Sequence, residues 1–326
     1  MRAAVVTSFG MPPACQEFPT PAPHTADEAL VDVIAAGLHP RVRSQASGLH
    51  YTSSGELPLV PGIDGVGRAP DGTLRYFLLP DTTMGAMAER TVVDLRRSVV
   101  LPGDSDPVLI AAAMNPAMSS WVALRRRISF HPGQSVLVLA ATGNAGRMAV
   151  QVAKHLGASH VIGAGRQPGR LAALTDLGAD AAVSLDGAPA DAARRLGQAA
   201  GDVDVVIDYL WGQPAADAML AMVTNRTDRG QPLTWIEVGS VAGPTAAIPS
   251  AALRAARLQI VGSGQGSVPS HDIRAELPEL ATEITSGIFR IDARTVPLAD
   301  VETAWKDTGG GQRIVITPCP VPPRPG

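Results

Sequence analysis

The chain has 326 residues, 45% hydrophobic and 17% charged, with a formal net charge of −3, which is ample material for more than one buried core and predicts two domains. The absence of a basic tract and an aromatic content of only 4% argue against a nucleic-acid groove lined by stacking rings, and two cysteines near opposite ends, Cys15 and Cys319, make neither a disulfide framework nor a metal-ligand spacing. The opening residues break at Thr7-Ser8-Phe9-Gly10 before a signal-peptide core develops and no apolar run approaches membrane-spanning length, so a cytoplasmic protein with no membrane partner is expected.

In chain order, residues 1 to about 118 predict a β-rich region with strands over 3–7, 28–35, 66–68, 75–79 and 87–93, loops over 19–24 and 48–58, and no long helical period. Gly62, Gly65 and Gly67 mark a strand entry that needs special backbone angles or close packing. From Asp106 the pattern turns helical and predicts two pieces broken near Asn115-Pro116, the second closed by Arg125-Arg126-Arg127, where cations suit a helix C-terminus.

Next comes the stretch with the most specific local signal. Val136 to Ala140 form an uninterrupted apolar run, as in a strand buried on both faces of a parallel sheet. The turn Ala141-Thr142-Gly143-Asn144-Ala145-Gly146 leads into a helix whose apolar face carries Met148, Ala149, Val152, Ala153 and Leu156 and which Gly157 closes. A helix that starts at a glycine turn directs unpaired N–H groups and a positive dipole end outward, and a pyrophosphate suits that place. Gly143 and Gly146 stand for the second and third glycines of G-x-G-x-x-G, while Ala141 replaces the first. The second strand, 161–164, ends in Gly165-Arg166-Gln167-Pro168-Gly169-Arg170. An acidic side chain is usual there for NAD; arginine instead offers paired, charge-assisted hydrogen bonds to a 2′-phosphate, so Gly165, Arg166 and Arg170 predict NADPH.

Beyond it, a helix over 171–177, a strand over 181–185, a helix over 191–199, a strand over 203–208, a helix over 215–223, a strand over 234–239, a helix over 250–256 and a strand over 258–262 complete a doubly wound α/β Rossmann domain of six strands. The predicted boundaries are 1–118 and 119–269, with 270–326 returning to complete the first domain. That tail predicts a helix over 273–286 interrupted at Pro278, a strand over 292–296, a helix over 298–307, a strand over 313–317 and a loose end after Pro318. The strand 258–262 falls at the sheet edge and can pair across a two-fold axis, so a homodimer is expected.

The segments Ala36-Gly37-Leu38-His39, Pro61-Gly62-Ile63-Asp64-Gly65-Val66-Gly67, Gly85-Ala86-Met87-Ala88-Glu89, the glycine turn, Val206-Ile207-Asp208, Val238-Gly239-Ser240 and Gly311-Gln312-Arg313-Ile314-Val315 resemble the medium-chain dehydrogenase/reductase superfamily, and within it the zinc-independent quinone oxidoreductase branch. The resemblance implies a GroES-like β-rich substrate domain beside the Rossmann domain. It also implies NADPH held by Ser120, Thr142, Gly143, Asn144, Ala145, Gly146, Gly165, Arg166, Arg170, Asp208, Gly239, Ser240, Ser263 and Arg313, with hydride passing to a quinone or the β-carbon of an enone. Zinc is not expected: relatives that bind it carry cysteine near the position of His39 and histidine at that of Ile63, and scattered histidines such as His24, His50 and His271 do not suggest three convergent ligands.

On the substrate side the chain departs from the family, with His39, Val42 and Ser44 where asparagine, aspartate and tyrosine are typical. The candidate catalytic residues are His39, a proton donor or a satisfied loop histidine; Arg43, an anchor for an acidic group or a solvated face; and Tyr51, a pocket aromatic. Trp211 and Asn115 are pocket or core. A carbonyl or imine acceptor, and a non-enzymatic NADPH-binding role, stand as alternatives.

Overall fold

The computed structural model describes residues 1–50, 53, 55–264, 266–307 and 311–318; Tyr51, Cys319 and the end of the proline-rich tail lie outside them. The chain divides into two compact units, Met1–Asn115 with Arg274–Gly326, and Pro116–Ile273.

Strand β1 (Arg2–Val5) pairs antiparallel with β2 (Ala14–Glu17). Then follow β3 (Glu28–Gly37), α1 (Pro40–Ala46), β4 (Asp64–Arg68), β5 (Leu74–Leu78), β6 (Arg90–Asp94), β7 (Ser98–Val100) and the long α2 (Pro107–Val122). The second unit runs β8 (Ser135–Leu139), α3 (Asn144–His155), β9 (His160–Gly165), α4 (Pro168–Ala172), β10 (Ala181–Ser184), α5 (Pro189–Ala200), β11 (Val205–Asp208), α6 (Gly212–Asn225), β12 (Leu233–Glu237), α7 (Ser250–Ala255) and β13 (Leu258–Gly262). The chain continues with α8 (Ser270–Thr285), β14 (Ala293–Pro297), α9 (Val301–Lys306) and β15 (Arg313–Thr317).

In the first unit the larger sheet has the order β14-β15-β3-β4-β5-β7, with β6 also on β3. The C-terminal strand is thus part of the N-terminal sheet, through Val315↔Gly37 and Ile316↔Ala36. Val31, Val33, Phe77, Val93, Ile314 and Ile316 pack into its core. In the second unit six parallel strands take the order β10-β9-β8-β11-β12-β13. In strand order counted from β8 this is 3-2-1-4-5-6, the doubly wound arrangement in which the crevice lies between the first and fourth strands. β13 is the edge, as its position in the sequence predicts.

Several elements differ from expectation. α1 occupies a segment without a long helical period: Pro40 supplies a ready φ at its first turn, and Val42, Gln45 and Ala46 are buried on one face. β2 and β7, of four and three residues, are too short to give a period-two pattern. α2 and α8 run through Pro116 and Pro278 without a break. An interior proline costs about 3 kcal/mol, but α8 buries Leu277, Leu280 and Ile284, each worth about 1.5–3 kcal/mol, so burial outweighs the missing bond. After α2 the backbone widens into a π-helical turn, Ala123–Arg127, with the three arginines in its last residues. The helical stretch Pro107–Arg127 is long and apolar enough to cross a membrane by length and composition, contrary to the sequence expectation, yet 67% of its apolar window is buried inside the fold, as in a core helix.

Candidate active site

The geometry at the carboxyl edge of the parallel sheet begins where β8 ends. Ala140 takes φ +59°, a left-handed conformation unusual for a residue with a side chain and costing on the order of 1–3 kcal/mol. It is Ala140, one residue earlier than the position read as the first fingerprint glycine, that turns the chain into α3. Gly143 is the N-cap residue, and no side chain caps the helix; Gly143 is exposed, while Thr142, Asn144 and Ala145 are half-buried. Gly146 is buried because it must be small: a Cβ there would stand 2.4 Å from the Ala140 carbonyl oxygen and 2.6 Å from Ala141 Cα. A Cβ on Gly143 would meet nothing nearer than 3.6 Å, so packing within the protein does not require glycine there. At the end of β9, Gly165 is buried against Thr142, whose Cγ2 a Cβ would reach at 2.6 Å. Arg166 follows, exposed and without a hydrogen bond or ion pair among the described residues; Arg170 is half-buried on α4.

The loop after β11 is organised by Asp208. Its Oδ1 accepts from the backbone N–H groups of Leu210 (2.7 Å) and Trp211 (3.0 Å), and Oδ2 accepts from Trp235 Nε1 (2.9 Å). The carboxyl is fully buried and burial raises its pKa, against the pull of these donors. Asp208, expected at the cofactor, is therefore a loop-shaping residue: its side-chain acceptors serve the protein. The bend it holds carries Trp211 at φ +49°, the second non-glycine with positive φ among the described residues, again at the carboxyl edge. Between them Tyr209 reaches the α2 hydroxyl of Ser119, Oη to Oγ 2.7 Å, and burial pushes its phenol up to about 12. Ser120, the expected contact, is fully buried with its hydroxyl donating to the Ala117 carbonyl at 3.2 Å; the half-buried neighbour Ser119 was not signalled by sequence, because the two serines differ only in helical phase. Gly239 lies after β12 with its N–H on the Asp208 carbonyl, Ser240 is exposed, and Ser263 after β13 donates its N–H to the Glu237 carbonyl. Glu237 is raised by burial and by the Asp208 carboxylate.

The other unit holds His39 and Arg43. Arg43 differs from the expectation of a substrate anchor. Its guanidinium donates to the carbonyls of Ala304 (3.2 Å), Trp305 and Asp307 (2.9 Å) and lies over the Trp305 ring, 5.4 Å from its centre. It closes the C-terminal end of α9, where a cation meets unpaired carbonyls. Arg313, expected at the cofactor, is 5% exposed in β15, donates to the Leu38 carbonyl at 3.1 Å, and is pushed down to about 10 by burial. It is a core cation of the first unit. His39 is buried as the N-cap residue of α1, and its Nε2 meets Asp64 Oδ1 at 2.8 Å. Asp64 Oδ2 accepts from Tyr76 Oη at 2.7 Å. Neither Asp64 nor Tyr76 was singled out as a site residue from the sequence, since they lie on different strands, β4 and β5, whose register Asp64↔Leu78 and Val66↔Tyr76 brings them side by side.

A family model named zinc-binding dehydrogenase matches residues 145–283. The chain is 32% identical, over 98% of its own length and 100% of the other, to the probable NADPH-dependent quinone reductase tdiC of Emericella nidulans. The chain belongs to the quinone oxidoreductase-like branch of the medium-chain dehydrogenase/reductase superfamily. Within that superfamily it is also 28% identical to the chloroplastic NADPH-dependent alkenal/one oxidoreductase of Arabidopsis thaliana over 48% of this chain and 45% of the other. Among solved structures, the quinone oxidoreductase of Thermus thermophilus, studied also in complex with NADPH, superposes with a TM-score of 0.76 at 25% identity, covering 97% of this chain and 100% of that one. Although the matched family model is named for zinc, no group of three or more His, Cys, Asp or Glu side chains suited to a metal ion occurs among the described residues. None of the groupings among the described residues therefore offers the three protein ligands that a catalytic zinc needs.

Proposed function

We propose that the chain is an NADPH-dependent oxidoreductase that transfers hydride to a quinone or to the activated double bond of a small-molecule enone. The observation that carries this reading is the full-length 32% identity to a probable NADPH-dependent quinone reductase. When bound, NADPH supplies the hydride.

The residues of the second unit fit the dinucleotide. The uncapped start of α3 offers N–H groups to the pyrophosphate, and Gly143 leaves room for its approach. Arg166, unpaired among the described residues, and Arg170 beside it, recognise the 2′-phosphate. Gly239, Ser240 and Ser263, after the neighbouring strands β12 and β13, line the nicotinamide side, in keeping with ligands at strand carboxyl ends. The Ser119–Tyr209 hydroxyl pair adds a polar anchor there that either partner can donate. We assign the first unit as a GroES-like substrate domain, in which His39 is held by Asp64 at 2.8 Å. We place the protein in the cytoplasm as a homodimer joined through the β13 edge.

NADPH and NADH binding followed by fluorescence tests the cofactor reading, and oxidation of bound NADPH by quinones and enones tests the chemistry. No oxidation by either class, with oxidation by aldehydes or cyclic imines instead, would move the activity to carbonyl or imine reduction.

A further inference from the structure

The end of β9 carries a glycine that its backbone angles do not require. Gly165 is buried and its φ is not positive, so its conformation is open to any side chain. Space is what forbids one. A Cβ at 165 would stand 2.6 Å from Thr142 Cγ2, 2.9 Å from Thr142 Oγ1 and 3.3 Å from Thr142 Cβ. All three atoms belong to one side chain, in the turn between β8 and α3. A Cβ on Gly169, in α4, would meet nothing within 4 Å, so the close contact is particular to the strand end.

The backbone bonds around β9 explain the approach. Ala141 N–H donates to the Ala164 carbonyl at 2.8 Å, which brings the chain leaving β8 alongside the last residues of β9. On the other side Gly165 pairs with Ser184 of β10, and its carbonyl accepts from Leu185 N–H at 2.7 Å. Gly165 is thus held in the sheet and cannot retreat from Thr142. Thr142 in turn is β-branched, with few rotamers to escape into. It is half-buried, and its hydroxyl makes no hydrogen bond among the described residues. Arg166, next along from Gly165, has no hydrogen bond or ion pair among them either. One strand end therefore presents a hydroxyl donor and a guanidinium, both available to an acceptor from outside. A phosphate monoester accepts from both and carries the charge that the guanidinium pairs with.

We propose that Thr142 and Gly165 form a single determinant of cofactor choice: the glycine clears the end of β9, Thr142 fills the cleared space, and the Thr142 hydroxyl donates to the 2′-phosphate of NADPH beside Arg166. This rests on the NADPH-dependent reading above. The usual acceptor for the ribose hydroxyls of NAD is an acidic side chain in this region of the second strand. At position 165 such a side chain would begin with a Cβ 2.6 Å from Thr142 Cγ2, a distance at which one of the two must move. With Thr142 shortened to alanine, the nearest of the three atoms that remains is Cβ at 3.3 Å, a contact that a small adjustment relieves. Cofactor choice is therefore not reversed at position 165 alone.

Fluorescence titration of the full-length protein with NADPH and with NADH reads the determinant on binding, without any acceptor. Thr142→Val keeps the branched shape and removes the donor, so NADPH affinity should fall about tenfold while NADH affinity stays within about twofold. Thr142→Ser retains the hydroxyl and should bind NADPH within about threefold of wild type. Gly165→Asp should weaken both nucleotides, because the displaced Thr142 disturbs the turn into α3. Adding Thr142→Ala to Gly165→Asp should then strengthen NADH binding about tenfold over Gly165→Asp alone, a coupling expected only of side chains in contact. Wild-type NADPH affinity in Thr142→Val, or NADH bound as tightly by Gly165→Asp as by the double variant, would overturn the proposal. Binding in the expected pattern by a protein that leaves NADPH unoxidised would support the determinant and contradict only the oxidoreductase reading, whereas wild-type protein that binds neither nucleotide would overturn both.

Discussion

Gly146→Ala and Gly143→Ala separate two uses of glycine in one turn. A methyl on Gly146 would lie 2.4 Å from the Ala140 carbonyl oxygen, whereas a C···O approach is about 3.3 Å at its closest, so the start of α3 must retreat from β8 by about 0.9 Å. Both atoms it meets first are backbone and cannot swing aside. Overpacking of this kind costs about 1–3 kcal/mol, and in a unit of this size each kcal/mol lowers Tm by about 2–4 °C, giving a fall of about 2–12 °C. The same retreat carries the first-turn N–H groups away from the pyrophosphate, and loss of one charge-assisted contact of about 1.5–3 kcal/mol weakens NADPH about tenfold to a hundredfold. Gly143 has φ −78° and clear space around its Cβ position. There alanine loses N-cap preference but gains from a less flexible unfolded chain, so stability should hold within about 1 kcal/mol while the methyl obstructs the phosphates. Thermal melts of both variants with NADPH titrations by fluorescence provide the assay. Equal melting of the two variants, or wild-type NADPH affinity in Gly146→Ala, would refute the packing argument.

Arg166→Ala should weaken NADPH about tenfold or more through loss of a charge-assisted pair and leave NADH nearly unchanged; equal losses in parallel titrations would remove the 2′-phosphate role. Asp208→Ala leaves three donors without their acceptor, so it should lower the unfolding free energy in urea by about 3 kcal/mol or more; a neutral effect would show that the loop does not depend on this carboxylate. The Tyr209 phenol, raised from 10 to about 12, favours the folded state fully below pH 10 and progressively less as pH rises towards 12. The difference of two pK units corresponds to about 3 kcal/mol, so Tyr209→Phe should flatten the alkaline loss of stability followed by circular dichroism between those limits; an unchanged alkaline limb would contradict the shift. Metal analysis of active protein should find no stoichiometric zinc, and activity abolished by a chelator and restored by zinc would overturn the ligand argument.

The Rossmann unit was legible because its signals are local: β8, the glycine turn, α3 and β9 each announce themselves within a few residues, and their buried apolar runs follow one another in register. Proline misled twice, at Pro116 and Pro278, since a proline's cost is local whereas the burial that overrides it is tertiary. α1 was missed because seven residues do not complete two helical turns. The departures at site residues share one cause. Asp208, Arg313 and Arg43 have the chemistry expected of ligand contacts, but which partner a carboxylate or guanidinium meets is settled by strands and helices distant in sequence. Asp208 meets Trp235, Arg313 meets Leu38, and Arg43 meets the end of α9. For the same reason His39 was visible as a candidate while its partner Asp64, 25 residues on, and Tyr76 were not. Sequence had also marked Gly37 only as part of a family motif; the structure gives it a physical reason, the clearance of the His39 ring and of the Ala111 carbonyl, 2.6 Å from where a Cβ would stand.

The central claim is tested most directly by adding NADPH to the purified protein, following its fluorescence, and then introducing quinones and enones in the same cuvette, with NADH in parallel. The account predicts NADPH binding that is tighter than NADH binding, followed by oxidation on addition of a quinone or an enone. Binding of neither nucleotide, or NADPH bound and left unoxidised by both acceptor classes, would contradict it.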